Sequence, residues 1–327
     1  MSEPKKRSSL TRQTKKEMEK HGMSAGEMVM ELGRTREMAK VFTVETPILR
    51  INTFHSGSLA GLVASLPALV ALRESFPGAR ITCFARASHV GLLEHFRACD
   101  EANVRPAGGV AAQAALMARL HASEPDLAIS FSQGANAMLL LWSTRAPKRA
   151  GFVPSHFEAF LTHRIPKRGM LSPLLALELV ETVGAQPRGG RAREWLDVPQ
   201  MLFDSLRAQL PFDFEEFVLV PFDTALKSSG ERAEWVRAVI ELRQSWPIVV
   251  AGGRAGDWSQ ALEASANHPI FHQNTSDALT FLALVRAARA VVGPANGVTD
   301  LARFDGKTTM RVLPADAHRE ALRTLGL

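Results

Sequence analysis

From residue 47 onward the chain alternates short apolar runs with longer apolar stretches of helical period, and this alternation constrains the fold more than any other feature. Ile48-Leu49-Arg50-Ile51-Asn52 reads as a buried strand. After the turn His55-Ser56-Gly57-Ser58, residues Leu59, Leu62, Val63, Leu66, Leu69 and Val70 recur at helical spacing up to the stop Phe76-Pro77-Gly78. A strand over 80–84 follows, then a helix capped by Ser88 and running through Phe96, a helix over 110–120, a strand over 126–131 and a helix over 136–142. Pro147-Lys148-Arg149-Ala150-Gly151-Phe152 is a turn leading into a short strand. Strand–helix–strand order implies a mostly parallel sheet covered on both faces. Residues 153–170 break the rhythm with His156, His163, Arg164, Lys167 and Arg168, and read either as a binding surface for an anion or as a solvated loop.

A second series follows. Helices over 174–183 and 200–210 lead to the strand Phe217-Val218-Leu219-Val220-Pro221, a helix over 231–244 and the strand 248–251, which ends in Gly252-Gly253. Helices over 257–266 and 279–288 come next, the latter capped by Ser276. A strand over 290–292, a helix capped by Asn296, a strand over 309–313 and a helix over 315–325 complete the chain. The expected organisation is α/β: a basic arm over 1–45, a Rossmann-like domain over 46–210 and a second over 211–327. These two domains would meet at a hinge near 205–215 and face one cleft. In open α/β sheets ligands bind beyond the carboxyl ends of the strands, so that cleft is the expected site.

Charge separates the arm from the body. The net charge is +6, and residues 1–20 supply +4 of it through Lys5, Lys6, Arg7, Arg12, Lys15, Lys16 and Lys20 against Glu3, Glu17 and Glu19. Such an arm suits peripheral contact with an anionic membrane, or is simply a solvated tail. It lacks the interleaved aromatics of a single-strand binder, so no nucleic acid is expected. No apolar run is long enough to span a bilayer and no apolar stretch follows the charged N-terminus, so the expected location is cytoplasmic, peripheral to the inner membrane through the arm. The two cysteines, Cys83 and Cys99, form no disulfide framework and read as small buried hydrophobes. No G-x-G-x-x-G, P-loop, nucleophile elbow or H-E-x-x-H pattern is present, so no metal site is expected. Glycines instead recur at strand ends, at Gly57, Gly61, Gly252, Gly253, Gly293 and Gly297, where backbone amides approach a phosphate closely.

These pieces, in this order, resemble glycosyltransferase family 9, the ADP-heptose:lipopolysaccharide heptosyltransferases, from about residue 47 to 313. The likeness is carried by Ile48-Leu49-Arg50-Ile51, Leu66-Pro67-Ala68-Leu69, Phe76-Pro77-Gly78-Ala79, Asp126-Leu127-Ala128-Ile129 and Ala146-Pro147-Lys148-Arg149-Ala150-Gly151-Phe152. In the second half it continues with Pro221 and Lys227, Gly252-Gly253, and Leu284 to Gly293 followed by Gly297 and Leu301-Ala302. The resemblance implies a GT-B fold and metal-independent transfer of a sugar from a nucleotide diphosphate donor to a glycan or glycolipid acceptor, with no further cofactor. Lys227 matches the family's phosphate lysine. Two family acids are replaced, one by Gly61 and one by Ala295, and the family histidine position holds Asp300.

Inverting sugar transfer needs a base for the acceptor hydroxyl and a cation or amides for the departing diphosphate. The titratable groups in the two matching loops are His55 and Asp300, which are the candidate bases. Lys227, Gly252, Gly253 and the helix start Asn296, Gly297, Val298 and Thr299 are the candidate binders of the donor phosphates. Replacement of both family acids also leaves open a catalytically silent protein that binds a nucleotide-sugar or a partner.

Overall fold

The computed structural model describes residues 47–106, 110–132, 134–153, 160–187, 192–221, 246–252, 270–273, 275–293 and 296–311. Residues Ile48–Leu327 belong to one compact unit. The expected arm, the helices over 231–244, 257–266 and 315–325, and the residues Lys227, Gly253 and Ala295 lie outside the described residues.

Among the described residues, eleven strands form two sheets. The first contains β1 (Arg50–Phe54), β2 (Arg80–Ala85), β3 (Glu101–Val104), β4 (Leu127–Ser130), β5 (Lys148–Val153) and β6 (His163–Pro166), in the order β3-β2-β1-β4-β5-β6. The second contains β7 (Val218–Pro221), β8 (Ile248–Ala251), β9 (Ile270–Gln273), β10 (Ala290–Gly293) and β11 (Thr309–Arg311), in the order β11-β10-β7-β8-β9. Every pairing is parallel. Each sheet therefore steps outward from its first strand in one direction and then reverses, which is the doubly wound order of a Rossmann-like sheet. The expected α/β class with two Rossmann-like halves is what the chain adopts.

The helices follow from the apolar spacing. Among the described residues they are α1 (Leu59–Ser75), α2 (Ala87–Glu94), α3 (Val110–Ala122), α4 (Ala135–Ser143), α5 (Pro173–Glu181), α6 (Gln200–Gln209), α7 (Ala278–Ala287) and α8 (Gly297–Asp305), with a 3-10 turn at Ala192–Trp195. Helix α1 is apolar around most of its circumference and is buried from Gly61 to Leu66 and from Ala68 to Leu72, as a helix central to a core must be. It packs between α5 and α8. One continuous core joins Ile51, Leu62, Leu66 and Phe131 of the first half to Phe217, Leu219, Leu282 and Leu301 of the second. Each such side chain contributes about 1.5–3 kcal/mol on burial. A smaller core under α3 and α4 gathers Phe54, Phe84, Leu116, Met138 and Leu141.

Several elements differ from the sequence reading. Strands β3, β6 and β9 were not expected; β6 runs through the segment read as an irregular loop. Helix α2 begins at Ala87, so Ser88 lies inside it; Arg86 takes the cap position and makes no side-chain cap bond. The cap of α7 is Asp277, whose Oδ2 accepts from the Thr280 amide at 2.8 Å, and not Ser276. Cys83 is fully buried and burial pushes its thiol well up, which agrees with an inert core residue.

Candidate functional site

The carboxyl end of β1 leads into α1 through His55-Ser56-Gly57-Ser58, and the carboxyl end of β10 leads into α8 through Asn296. Both strands stand where their sheets reverse order, so both turns occupy switch points. The two helix starts meet. A Cβ on Gly297 would lie 2.6 Å from Leu59 Cβ and 2.8 Å from the Ala60 amide nitrogen. Glycine at 297 thus allows the N-termini of α1 and α8 to touch, and their positive dipole ends converge at one place.

The same geometry explains a missing acid. A Cβ at Gly61 would lie 2.5 Å from Ser56 Cβ, so the turn has no room there for a side chain. Ser58 caps the helix by accepting from the Gly61 amide at 3.2 Å.

His55 does not face a substrate. It is fully buried, and its ring stacks on Phe131 with centroids 5.4 Å apart. The Ser65 hydroxyl donates to the Leu62 carbonyl at 2.6 Å, so its oxygen is left to accept from His55 Nδ1–H at 2.8 Å. Thr53 then donates to Nε2 at 3.0 Å. Burial, and after it the charges of Arg105 and His89, hold the imidazole down to about 3. The ring is neutral, both its nitrogens are engaged, and its role is to brace β1 against α1. The expected catalytic role of His55 is corrected accordingly.

The donor-binding residues expected in the second half divide. Asn296 Oδ1 accepts from the amides of Val298 and Thr299, both at 3.0 Å, while Thr299 Oγ1 accepts from the Asn296 amide at 2.9 Å. This reciprocal capping box occupies the two amides expected to cradle phosphate. Gly297 is needed for the contact with α1. Gly252 ends β8 with φ 135°, a conformation that favours glycine, and its amide donates to the Gln273 carbonyl at 3.2 Å. These residues shape the turns, and the amides of Gly252, Asn296, Val298 and Thr299 are already engaged. Asp300, in the first turn of α8, is half-exposed and stands 3.6 Å from Arg303 one turn on. It remains the carboxylate at this end of α8. Among the described residues no group of three His, Cys, Asp or Glu side chains is placed to hold a metal ion.

Sequence reasoning missed the cations of the first half. Arg86 follows β2 and leans over the first turn, its Nε 3.0 Å from where a Gly57 Cβ would be. Arg105 follows β3 and is half-buried. Burial and the Arg86 charge both press its guanidinium below the ordinary value. His89, in α2, is buried. The signal that could have exposed this group is a basic residue directly after two successive strands, and the second of those strands was itself not read.

No protein-family profile matches the sequence, and no curated protein matches it. Solved structures do. A glycosyl transferase family 9 protein from Veillonella parvula is 14% identical with a TM-score of 0.67, covering 81% of each chain. ADP-heptose lipopolysaccharide heptosyltransferase II of E. coli is 15% identical with a TM-score of 0.65, over 80% of this chain and 84% of that one. An E. coli heptosyltransferase solved with ADP is 12% identical with a TM-score of 0.64, over 85% of this chain and 98% of that one. A UDP-GlcNAc 2-epimerase from Methanocaldococcus jannaschii, 12% identical over 85% of this chain and 92% of that one, has a TM-score of 0.52, so related folds also carry out other nucleotide-sugar chemistry. The fold of this chain is that of glycosyltransferase family 9 and the heptosyltransferases, as its sequence pieces suggested.

Proposed function

We propose that the chain is a glycosyltransferase that moves a heptose-like sugar from a nucleotide diphosphate donor to a lipopolysaccharide or other surface-glycan acceptor. The observation that carries this reading is the meeting of the α1 and α8 N-termini at the switch points of two Rossmann-like sheets, in a fold shared with heptosyltransferases. Two convergent helix dipoles and the neighbouring arginines favour negative charge at that edge.

In this reading the donor diphosphate lies on the side of the second sheet. Lys227, which follows β7 in sequence, neutralises the leaving group without a metal. Asp300 accepts the proton of the acceptor hydroxyl. The hydroxyl oxygen forms the new bond to the anomeric carbon while the old carbon–oxygen bond breaks, and its electron pair leaves on the diphosphate. A base of this kind contributes about 10²–10⁴-fold. The chain works as a cytoplasmic protein peripheral to the inner membrane, and its basic arm at residues 1–45 contacts anionic lipid. No helix of the described residues is long and apolar enough to cross a membrane; a peripheral position requires none.

Two observations favour a second reading. His55 is locked in the core and Gly61 has no room for an acid, so a catalytically silent protein that holds a nucleotide-sugar accounts for the same site. One experiment separates the two. Calorimetric titration with ADP, UDP and GDP, followed by turnover assays with the matching sugar nucleotides, shows binding and transfer in the first case and binding alone in the second. Lys227→Ala weakens nucleotide diphosphate binding by about 1.5–3 kcal/mol, the range for a hydrogen bond to a charged group. Unchanged binding in that variant removes Lys227 from the site, and no binding of any nucleotide by the wild type defeats both readings.

A further inference from the structure

Three side chains that the proposed chemistry does not use converge beside the first turn. Arg86 and Arg105 come from the loops after β2 and β3, and among the described residues neither guanidinium has a carboxylate or a hydrogen-bond acceptor. Parallel pairing sets Ala85 opposite Val104, the Arg105 amide donates to the Ala85 carbonyl at 2.6 Å and the His89 amide donates to the Arg86 carbonyl at 2.9 Å, so the three residues leave neighbouring strand ends together; the charge of each arginine also bears on His89. Guanidinium groups at a protein surface ordinarily find carboxylates; two held near each other without one form the half-site that an oxyanion completes. His89 lies one turn into α2 and is 5% exposed, and its Nδ1 is buried with no hydrogen-bond partner. A buried polar atom left unpaired is costly and calls for a ligand or a function. Helix α2 also starts without a side-chain cap, which leaves its positive end unneutralised beside Arg86.

We propose that Arg86, Arg105 and His89 form a proton-linked binding site for a compact oxyanion, a phosphoryl or sulfate-type group. The arginines supply the charge. His89 adds positive charge beside them once its ring is protonated. Its surroundings set the linkage. Burial opposes protonation most, and after it Arg86 on its own element and Arg105 from the β3 loop; Asp277, at the cap of α7 packed on α2, favours it. His55, from the β1 side, is neutral. An anion that neutralises the two arginines removes the opposition, so its arrival draws a proton onto His89. Binding is then tighter in acid than in base. The site stands on this geometry alone. Its biological ligand rests on the transferase reading, under which the anion is a phosphoryl group of the acceptor or of the donor.

Sulfate tests the site, because its charge does not change between about pH 5 and about pH 8. Calorimetry on the full chain should show sulfate affinity falling by about tenfold or more across that range, within the usual span of coupling between two ligands. Imidazole nitrogen NMR should show the His89 ring taking up a proton as sulfate saturates. His89→Gln should keep sulfate binding but flatten its pH dependence. Arg105→Met should weaken binding by about tenfold or more at both pH values, in line with loss of a charge-assisted hydrogen bond. Competition identifies the source: displacement of sulfate by ADP assigns the site to the donor, and displacement by a sugar monophosphate but not by ADP assigns it to the acceptor. Absence of sulfate and phosphate binding, or binding that is indifferent to pH in the wild type or to Arg105→Met, overturns the proposal. Nucleotide binding with no sulfate site leaves the transferase reading standing and removes this one. A sulfate site without any sugar transfer does the reverse.

Discussion

Arg286 and Arg105 show two ways of keeping a cation in one core. Arg286, on α7, forks onto Asp305 of α8 through Nε at 3.0 Å and Nη2 at 2.8 Å, and Nη2 also donates to the Leu196 carbonyl at 3.0 Å. Its partner carboxylate is only 12% exposed. This pair ties two helices of the second half together, and it explains why an arginine stands in the apolar stretch Leu284 to Gly293. Arg105 is also half-buried, yet among the described residues nothing pairs with it and Arg86 repels it. The first cation is part of the framework. The second is held where stability alone would not place it, which is the mark of a residue kept for a ligand.

The contrast can be broken or sharpened by mutation. The largest effect is expected at Arg286. Arg286→Ala strands the Asp305 charge and should cost about 3 kcal/mol, measured by urea unfolding; a loss below about 1 kcal/mol shows that the fork is not part of the framework.

Next comes acid. The unfolded chain protonates His55 near 6.5, whereas in the folded chain burial delays this to about 3. The folded pKa is depressed, so the unfolded state binds the extra proton between these values. Stability is therefore full above about pH 6.5 and falls as pH drops, by about 1.4 kcal/mol per unit from this residue. Unfolding free energies at about pH 4 and about pH 6 should differ by roughly 2–3 kcal/mol more in the wild type than in His55→Gln. Equal slopes mean that the ring is reached by solvent.

The contact between α1 and α8 ranks third. Gly297→Ala drives a methyl against the Ala60 backbone and should cost about 1–3 kcal/mol. Asn296→Ala, which removes only the cap of α8, should cost about 1 kcal/mol. A thermal scan in which the alanine at 297 is harmless would show that the two helix starts are free to part.

The smallest effect carries the opposite sign. Arg105→Met keeps the apolar stem, removes an unpaired charge and should leave the ligand-free protein within about 0.5 kcal/mol of the wild type or slightly more stable. A loss as large as that at Arg286 erases the distinction between the two arginines.

Much of the framework was legible because it depends on local spacing. The runs 248–251 and 290–293 are apolar at every position, as central parallel strands must be, and Asn296 announces its helix by the chemistry of a cap. Strands β3, β6 and β9, which escaped, are all sheet edges. An edge strand pairs on one side only, and the sequences Glu101-Ala102-Asn103-Val104 and His163-Arg164-Ile165-Pro166 leave no unbroken apolar run to detect. Of the candidate site, the two turns were legible as strand-end glycines, but the roles of their residues were not.

Those roles depend on distance in space. His55 reads as a titratable group in a glycine-rich loop; only the packing of α1 brings Ser65 to one ring nitrogen and seals the ring against Phe131. Gly297 reads as room for a phosphate, and only the approach of α1 shows that Leu59 and Ala60 already fill that room. Arg86 and Arg105 are unremarked residues in two separate loops until parallel pairing of β2 and β3 sets those loops side by side. Hydrophobic period and capping chemistry are properties of neighbours along the chain, so the sequence by itself determined the α/β class and most of its elements. Burial, desolvation and the meeting of charges are properties of neighbours across the fold, and these only the tertiary structure decided.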